Sequence, residues 1–281
     1  MKRLLIFPIL VILGLLTIHC DDDLFDPVRN NNDVSVDSTF VRTFDKSGIT
    51  SISVSSINGA IEVYGTEADS IEIEAQLKVQ APTVGSAREG INLIQVRFSF
   101  SGSGELRIDT VIPQNDSRNF QVSYVLTVPI DLPIIAETIN GAIVVDSLNA
   151  SFEGNTTNGA INVRNVLGEV RTNTTNGAVF MENIQGEVRA RTTNGAIAAK
   201  NIMPDKNTID LQITNGPLSL SVPVTISATV SARTTNGTVS ISNLNIDLTV
   251  NEPNHKEGQI GEGDATIRLR TTNGNINISG I

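Results

Sequence analysis

The chain has 281 residues and a formal charge of −10; 40% of its residues are hydrophobic, 18% charged and only 4% aromatic, with one Cys, two His and no Trp against 28 Asn. One Cys excludes a disulfide framework, and so few Cys and His exclude a zinc cluster built from them. The acidic balance and scarce aromatics exclude nucleic acid, which needs a concentrated basic surface and stacking platforms, and they point to a core of small and β-branched side chains.

Lys2 and Arg3 precede an uncharged, mainly apolar run over residues 4–18, followed by His19 and Cys20. A positive start and an apolar run too short for a comfortable transmembrane helix predict an export signal over residues 1–19. The only Cys stands at the expected processing point. This arrangement resembles a bacterial lipoprotein signal, although Thr17 and His19 depart from the usual Leu and small residue. The resemblance implies lipidation at Cys20 and a place in the bacterial cell envelope, facing the periplasm or the surface. An ordinary cleaved signal with an incidental Cys is the alternative. Residues 20–37, with acids at 21–23 and three Asn at 30–32, read as a flexible tether. Loss of residues 1–19 removes Lys2 and Arg3 and no acid, taking the charge from −10 to about −12. Such a domain is repelled by anionic headgroups, so the lipid is its expected membrane attachment.

Residues 38–281 read as one domain. Residues 38–130 carry strand patterns (ITSISVSS, SIEIEAQLKV, FQVSYVLTVP) without a fixed period, and they hold most of the aromatics, among them Phe40, Phe44, Phe98, Phe100, Phe120 and Tyr124. A repeat array needs a cap over its first unit, and this irregular segment is the candidate.

Residues 131–281 repeat. Asn-Gly recurs at Asn140, Asn158, Asn176 and Asn194 in steps of 18, then at Asn215, Asn236 and Asn273, with an earlier copy at Asn58. Six residues before the Asn stand Ile134, Phe152, Val170, Val188, Ile209, Val230 and Ile267; three after it stand Ile143, Ile161, Val179, Ile197, Leu218, Val239 and Ile276. Apolar residues alternate with polar ones inside each strand. The period is too short for a helical hairpin and fits one turn of a coil of strands. The fold expected is all-β: a parallel β-helix, or β-solenoid, with rungs of about 18 residues. Asn-Gly suits a tight corner, with Asn inward and bonded to the next rung as a stacked amide ladder. Asn165, Asn183, Asn201 and Asn243 mark a second corner, and the Thr column of Thr138, Thr156, Thr174, Thr192, Thr234 and Thr271 is expected to be buried and bonded to the backbone. Residues 251–264 read as a polar loop, and Ile281 as the end of an uncapped last rung open to strand pairing.

The order INGAIEV, VLTVPIDLP, stacked TTNGAINV-type rungs and a closing GEGDATIRLRTTNGNINI resembles the bacterial putative-adhesin family of β-helix domains of unknown function, over roughly residues 40–281. That resemblance implies adhesion or envelope association and brings no catalytic residue.

Three faces are candidates for function. Arg171, Arg189, Arg191, Arg233, Arg268 and Arg270 fall at outward positions before the Asn and form a stripe suited to an anionic glycan or phosphate. Glu169 and Glu187 on the same face support the competing reading of a self-neutralising sheet. An outward Thr column beside them is too rough for an ice-binding array. After the Asn, Ala142, Ala160, Ala178 and Ala196 form a flat strip, either covered by a loop or free to dock an envelope protein. A polysaccharide-cleaving β-helix enzyme would need a carboxylate cluster and aromatic platforms. Acidic residues stack in no long column, and Glu252, Glu257, Glu262 and Asp264 lack Ca²⁺-loop spacing. The expectation is a non-enzymatic, lipid-anchored binding or scaffold module with no cofactor and no metal.

Overall fold

The computed structural model describes residues 16–19, 34–204 and 206–281. Cys20 and the tether up to residue 33 lie outside them. Residues 34–37, expected at the end of the tether, already belong to the strand Val34–Asp45. The strand Leu16–His19, from the end of the expected signal, lies antiparallel along its outer edge.

The repeat folds as a solenoid of two parallel-rich sheets of twelve strands each. One, here the leading sheet, holds the strands that run into each Asn-Gly. The other, the trailing sheet, holds those that leave it. Rungs stack in register without a slip: Phe152 faces Ile134 and Val170 in the leading sheet, and Ile161 faces Ile143 and Val179 in the trailing one. The period-2 pattern therefore puts like residues over like residues, and the apolar columns are sealed inside the coil.

The two corners differ. At the second one, Ser147, Asn165, Asn183, Asn201 and Asn243 all have φ between 53° and 65°, the left-handed conformation that Asn tolerates best among residues bearing a side chain. At the Asn-Gly corner the Asn residues do not. There glycine is required by contact: a Cβ on Gly159 would collide with the carbonyl of Gly141, and one on Gly177 with that of Gly159.

The amide ladder forms, but on the outside and between side chains. Asn158 Nδ2 donates to Asn140 Oδ1 at 2.7 Å, and Asn176 and Asn194 continue it at 2.9 Å each. The expected inward Asn bonded to backbone is corrected to an exposed one, because the buried polar place at this corner belongs to Thr. Thr156, Thr174 and Thr192 donate their hydroxyls to the carbonyls of Gly141, Gly159 and Gly177 in the preceding rung, at 2.9–3.1 Å. A short side chain two residues before the Asn reaches that carbonyl from inside, so the close-packed glycine backbone keeps no unmet acceptor. One buried hydroxyl has no such partner. Thr172 sits between Gly154 and Ala190 in its column, and its Oγ1 is unbonded. Thr172→Val keeps the shape and removes a desolvated hydroxyl, so it should raise stability by about 1 kcal/mol, read as a higher denaturation midpoint with an unchanged slope.

Antiparallel strands cover both sheets at the N-terminal end and the leading sheet at the other. At the N-terminal end, Ser51–Ser55 and Ile61–Thr66 form a full rung that adds Asn58 to the ladder, Asn140 donating to it at 2.7 Å. Beyond it Asn119–Pro129, Ser70–Ala81 and Val34–Asp45 extend the trailing sheet, the last two antiparallel, while Glu105–Val111 and Gln95–Phe100 extend the leading one. Aromatic rings pack against the core here. Phe44 and Phe40 from one sheet meet Phe98 of the other at centroid distances of 5.5 and 6.5 Å. Tyr124 is fully buried with its hydroxyl 2.6 Å from Thr110 Oγ1, and burial pushes its pKa up to about 12. A helix absent from the sequence reading, Val84–Ile91, starts at the N-cap Thr83, whose hydroxyl accepts from Ser86 N–H at 3.2 Å. It covers Val36 and Ala81 with its buried Ala87.

At the other end the stacking order departs from chain order. The rung carrying Asn273 inserts between those of Asn215 and Asn236, with Asn273 Nδ2 donating to Asn215 Oδ1 and Asn236 Nδ2 to Asn273 Oδ1, both at 2.7 Å. The last rung in sequence is thus interior, which corrects the expectation of an open terminal rung near Ile281. Residues 251–264 are also not a loop. They belong largely to a hairpin, Asp247–Glu252 with His255–Ile260, that pairs antiparallel with Ala228–Asn236 and covers that edge of the leading sheet.

Candidate functional site

The outer face of the leading sheet carries the six expected Arg residues in two columns. Five residues before the Asn, Arg171 and Arg189 stack on each other, then come Asp210 and Arg268. Three before it the order is Asn173, Arg191, Gln212, Arg270 and Arg233.

The two columns differ in charge compensation. Arg171 Nε donates to Glu169 at 2.5 Å and Arg189 Nε to Glu187 at 2.6 Å. The Glu169 hydrogen bond, followed by its charge, raises the Arg171 pKa. These two guanidinium groups are spent on their own strands, as expected for a self-neutralising sheet. Arg191 has a looser partner in Asp210, at 3.8 Å, and that carboxylate is already engaged by Gln212 Nε2 at 3.0 and 3.1 Å. Among the described residues, Arg233, Arg268 and Arg270 have no carboxylate within ion-pair distance.

Arg191, Arg270 and Arg233 also share a shallow trough of about 480 Å³. Gln212 lies between the first two, and Thr193, Thr214, Thr272 and Thr235, the outward Thr column, form one wall. No carboxylate lines it. Strand pairing fixes the spacing: Arg191 and Arg270 are two strands apart, roughly 10 Å, and Arg270 and Arg233 are neighbours at roughly 5 Å. Next to the trough, the hairpin sets His255 opposite Arg233. His255 Nε2 lies 3.0 Å from Glu257 Oε1, and Ser231 donates to the same oxygen at 3.2 Å. The His255 contact, then Ser231, holds the Glu257 carboxyl below its usual range, with a smaller contribution from the Arg233 charge. His255 is therefore half-buried in a polar cluster.

Of the six arginines expected on this face, Arg191, Arg233 and Arg270 line the trough and Arg171, Arg189 and Arg268 lie outside it. Gln212 joins them unforeseen, its only signal in the sequence being its place in the same column. On the trailing sheet, Ala142, Ala160, Ala178 and Ala196 are half-buried, with Phe180 exposed in the neighbouring column. The charges beside them alternate in sign along one column, Asp146, Arg164, Glu182 and Lys200, with Glu182 3.0 Å from Lys200 and 4.0 Å from Arg164. Among the described residues no group of three or more His, Cys, Asp or Glu is placed to hold a metal ion, and no helix is long and apolar enough to cross a membrane.

No curated protein matches the chain significantly. Solved structures with similarity include a "putative cell adhesion protein" from Clostridium sporogenes, 12% identical with a TM-score of 0.38, covering 87% of this chain and 100% of that one. Another is a "putative adhesin" from Bacteroides fragilis, 14% identical with a TM-score of 0.38, covering 86% of this chain and 97% of that one. The Toastrack DUF4097 family model matches residues 29–279, nearly the full length, and the chain belongs to that family.

Proposed function

We propose that this protein is a non-enzymatic binding module of the bacterial cell envelope, held there by lipid on Cys20, and that it binds an acidic glycan in the trough formed by Arg191, Arg270 and Arg233. The observation that carries this reading is a column of three Arg in a trough lined by no carboxylate, on a chain of net charge −10. Arg171 and Arg189 on the same face are matched to Glu169 and Glu187, whereas Arg233 and Arg270 have no carboxylate within ion-pair distance among the described residues. Arg presents paired N–H donors that match a carboxylate or sulfate, and the Thr hydroxyls and Gln212 amide suit sugar hydroxyls. The trough runs along the solenoid axis, so a linear polymer with an acidic group on each sugar presents charge at a repeat comparable to the strand spacing. A groove without a carboxylate offers no general acid or base at the sugar, which favours binding over cleavage.

The envelope address rests on the N-terminal pattern of Lys2, Arg3, the apolar run and Cys20. Full-length protein expressed in a bacterial host should label with a radioactive fatty acid and pellet with membranes, and Cys20→Ser should move it to the soluble fraction. A Cys20→Ser protein that stays with membranes would refute lipid anchoring.

A further inference from the structure

Eight Asn-Gly dipeptides line one edge of the stack. Asn-Gly is the dipeptide most prone to cyclise, because glycine leaves the following amide nitrogen unhindered. Seven of the eight are held away from that reaction. The N–H groups of Gly59, Gly141, Gly159, Gly177, Gly195, Gly216 and Gly274 each donate to the carbonyl of the Asn in the adjoining rung, at 2.8–3.2 Å. An amide nitrogen locked in such a bond cannot turn onto the side chain without opening the rung.

Gly237 is the exception. Its rung is the last of the stack, so no further Asn carbonyl stands beyond it, and among the described residues its N–H has no acceptor. The segment that covers this rung skips it. Pro253 and Asn254 accept from Val239 N–H at 2.8 Å and Thr234 N–H at 2.9 Å, on either side. Asn236 is exposed, and its carboxamide is held by one bond, Nδ2 to Asn273 Oδ1.

We infer that Asn236 is a site of spontaneous deamidation built into the end of the solenoid. Gly237 N–H yields its proton to solvent base, the nitrogen bonds to Asn236 Cγ, and the Cγ–Nδ2 bond breaks with loss of ammonia, leaving a five-membered succinimide. Water then adds to either ring carbonyl and opens it to aspartate or isoaspartate; no oxidant or reductant takes part. The product replaces the last ladder donor with a carboxylate facing the Asn273 carbonyl oxygen, and it places negative charge three residues from Arg233. Conversion should therefore loosen the terminal rung and lower the positive charge at that end of the trough.

Time-resolved peptide mapping tests this on the full folded chain in mildly alkaline buffer at physiological temperature. The tryptic peptide spanning residues 234–256 contains Asn236 as its sole Asn-Gly. It should gain the amide-to-acid mass shift at least about tenfold faster than the peptides carrying Asn176, Asn215 or Asn273, whose reaction waits on local opening of the stack. In denaturant the four should convert at similar rates, and Asn236→Ser should remove the fast signal. Equal rates for Asn236 and Asn215 in the folded protein would overturn the proposal. So would a fast shift in that peptide that survives Asn236→Ser.

Discussion

Replacing Arg191, Arg233 and Arg270 together by Gln should abolish binding to a polyuronate such as polygalacturonate, while replacing Arg171 and Arg189 should leave it within about twofold. The contrast follows from the ion pairs. Arg171 and Arg189 already share their N–H donors with Glu169 and Glu187, so a ligand gains little from them. Each charge-assisted bond to a free guanidinium contributes about 1.5–3 kcal/mol. Losing even two of three should weaken binding at least about a hundredfold. The interaction should also fade as salt rises, because the trough is shallow and solvent-screened, and neutral dextran should not compete. Calorimetric titration of the two variants decides the matter. An unaltered affinity in the triple variant, or equal losses in both, would remove the trough from consideration. The bland alternative, a solvated sheet without a ligand, predicts no polyuronate binding by the unmodified protein.

The largest stability effect should come from a single methyl group. Gly177→Ala should destabilise the solenoid by about 3 kcal/mol or more, as overpacking against rigid backbone allows no side chain to yield. The φ of Gly177 is not positive, so the cost is not conformational. It arises because the new Cβ would overlap the Gly159 carbonyl and press on Thr174 Oγ1, whose own bond to that carbonyl would have to break. Asn176→Ala, one residue earlier, removes an exposed ladder bond on each side and should cost about 1 kcal/mol or less. Equal denaturation midpoints for the two variants would mean that the rungs are not in backbone contact at this corner.

Most of the fold was legible in the residues because a solenoid is nearly one-dimensional. The columns Ile143 to Ile276 and Ile134 to Ile267 announce themselves at fixed offsets, and an alternating pattern decides which face is inside. The Thr column could be recognised the same way, since Thr138 to Thr271 alternate with the buried set. The corners were harder. Asn-Gly suggested a tight corner with an inward Asn, yet that Asn faces out, the left-handed residues are Asn165, Asn183 and Asn201 at the other corner, and the Gly of Asn-Gly is demanded by a neighbour in another rung, which no local pattern encodes. The candidate site was half legible. Outward arginines follow from parity, but whether a guanidinium is free depends on which acid lies across the strand or the stack.

The sequence by itself determined the strands of the rungs, the rung length and the inward faces, because each of these is local and repeats, and it placed most of the rings at one end. Only the tertiary structure decided the order of the last rungs. The columns at Asn215, Asn236 and Asn273 are chemically alike, so each rung fits against either neighbour. The hairpin that pairs with Ala228–Asn236 covers that edge, and the chain returns to fill the place between. That reordering is what sets Arg270 beside Arg233, leaves Gly237 without a rung beyond it, and gives an acidic protein with few aromatics a basic trough lined by no carboxylate.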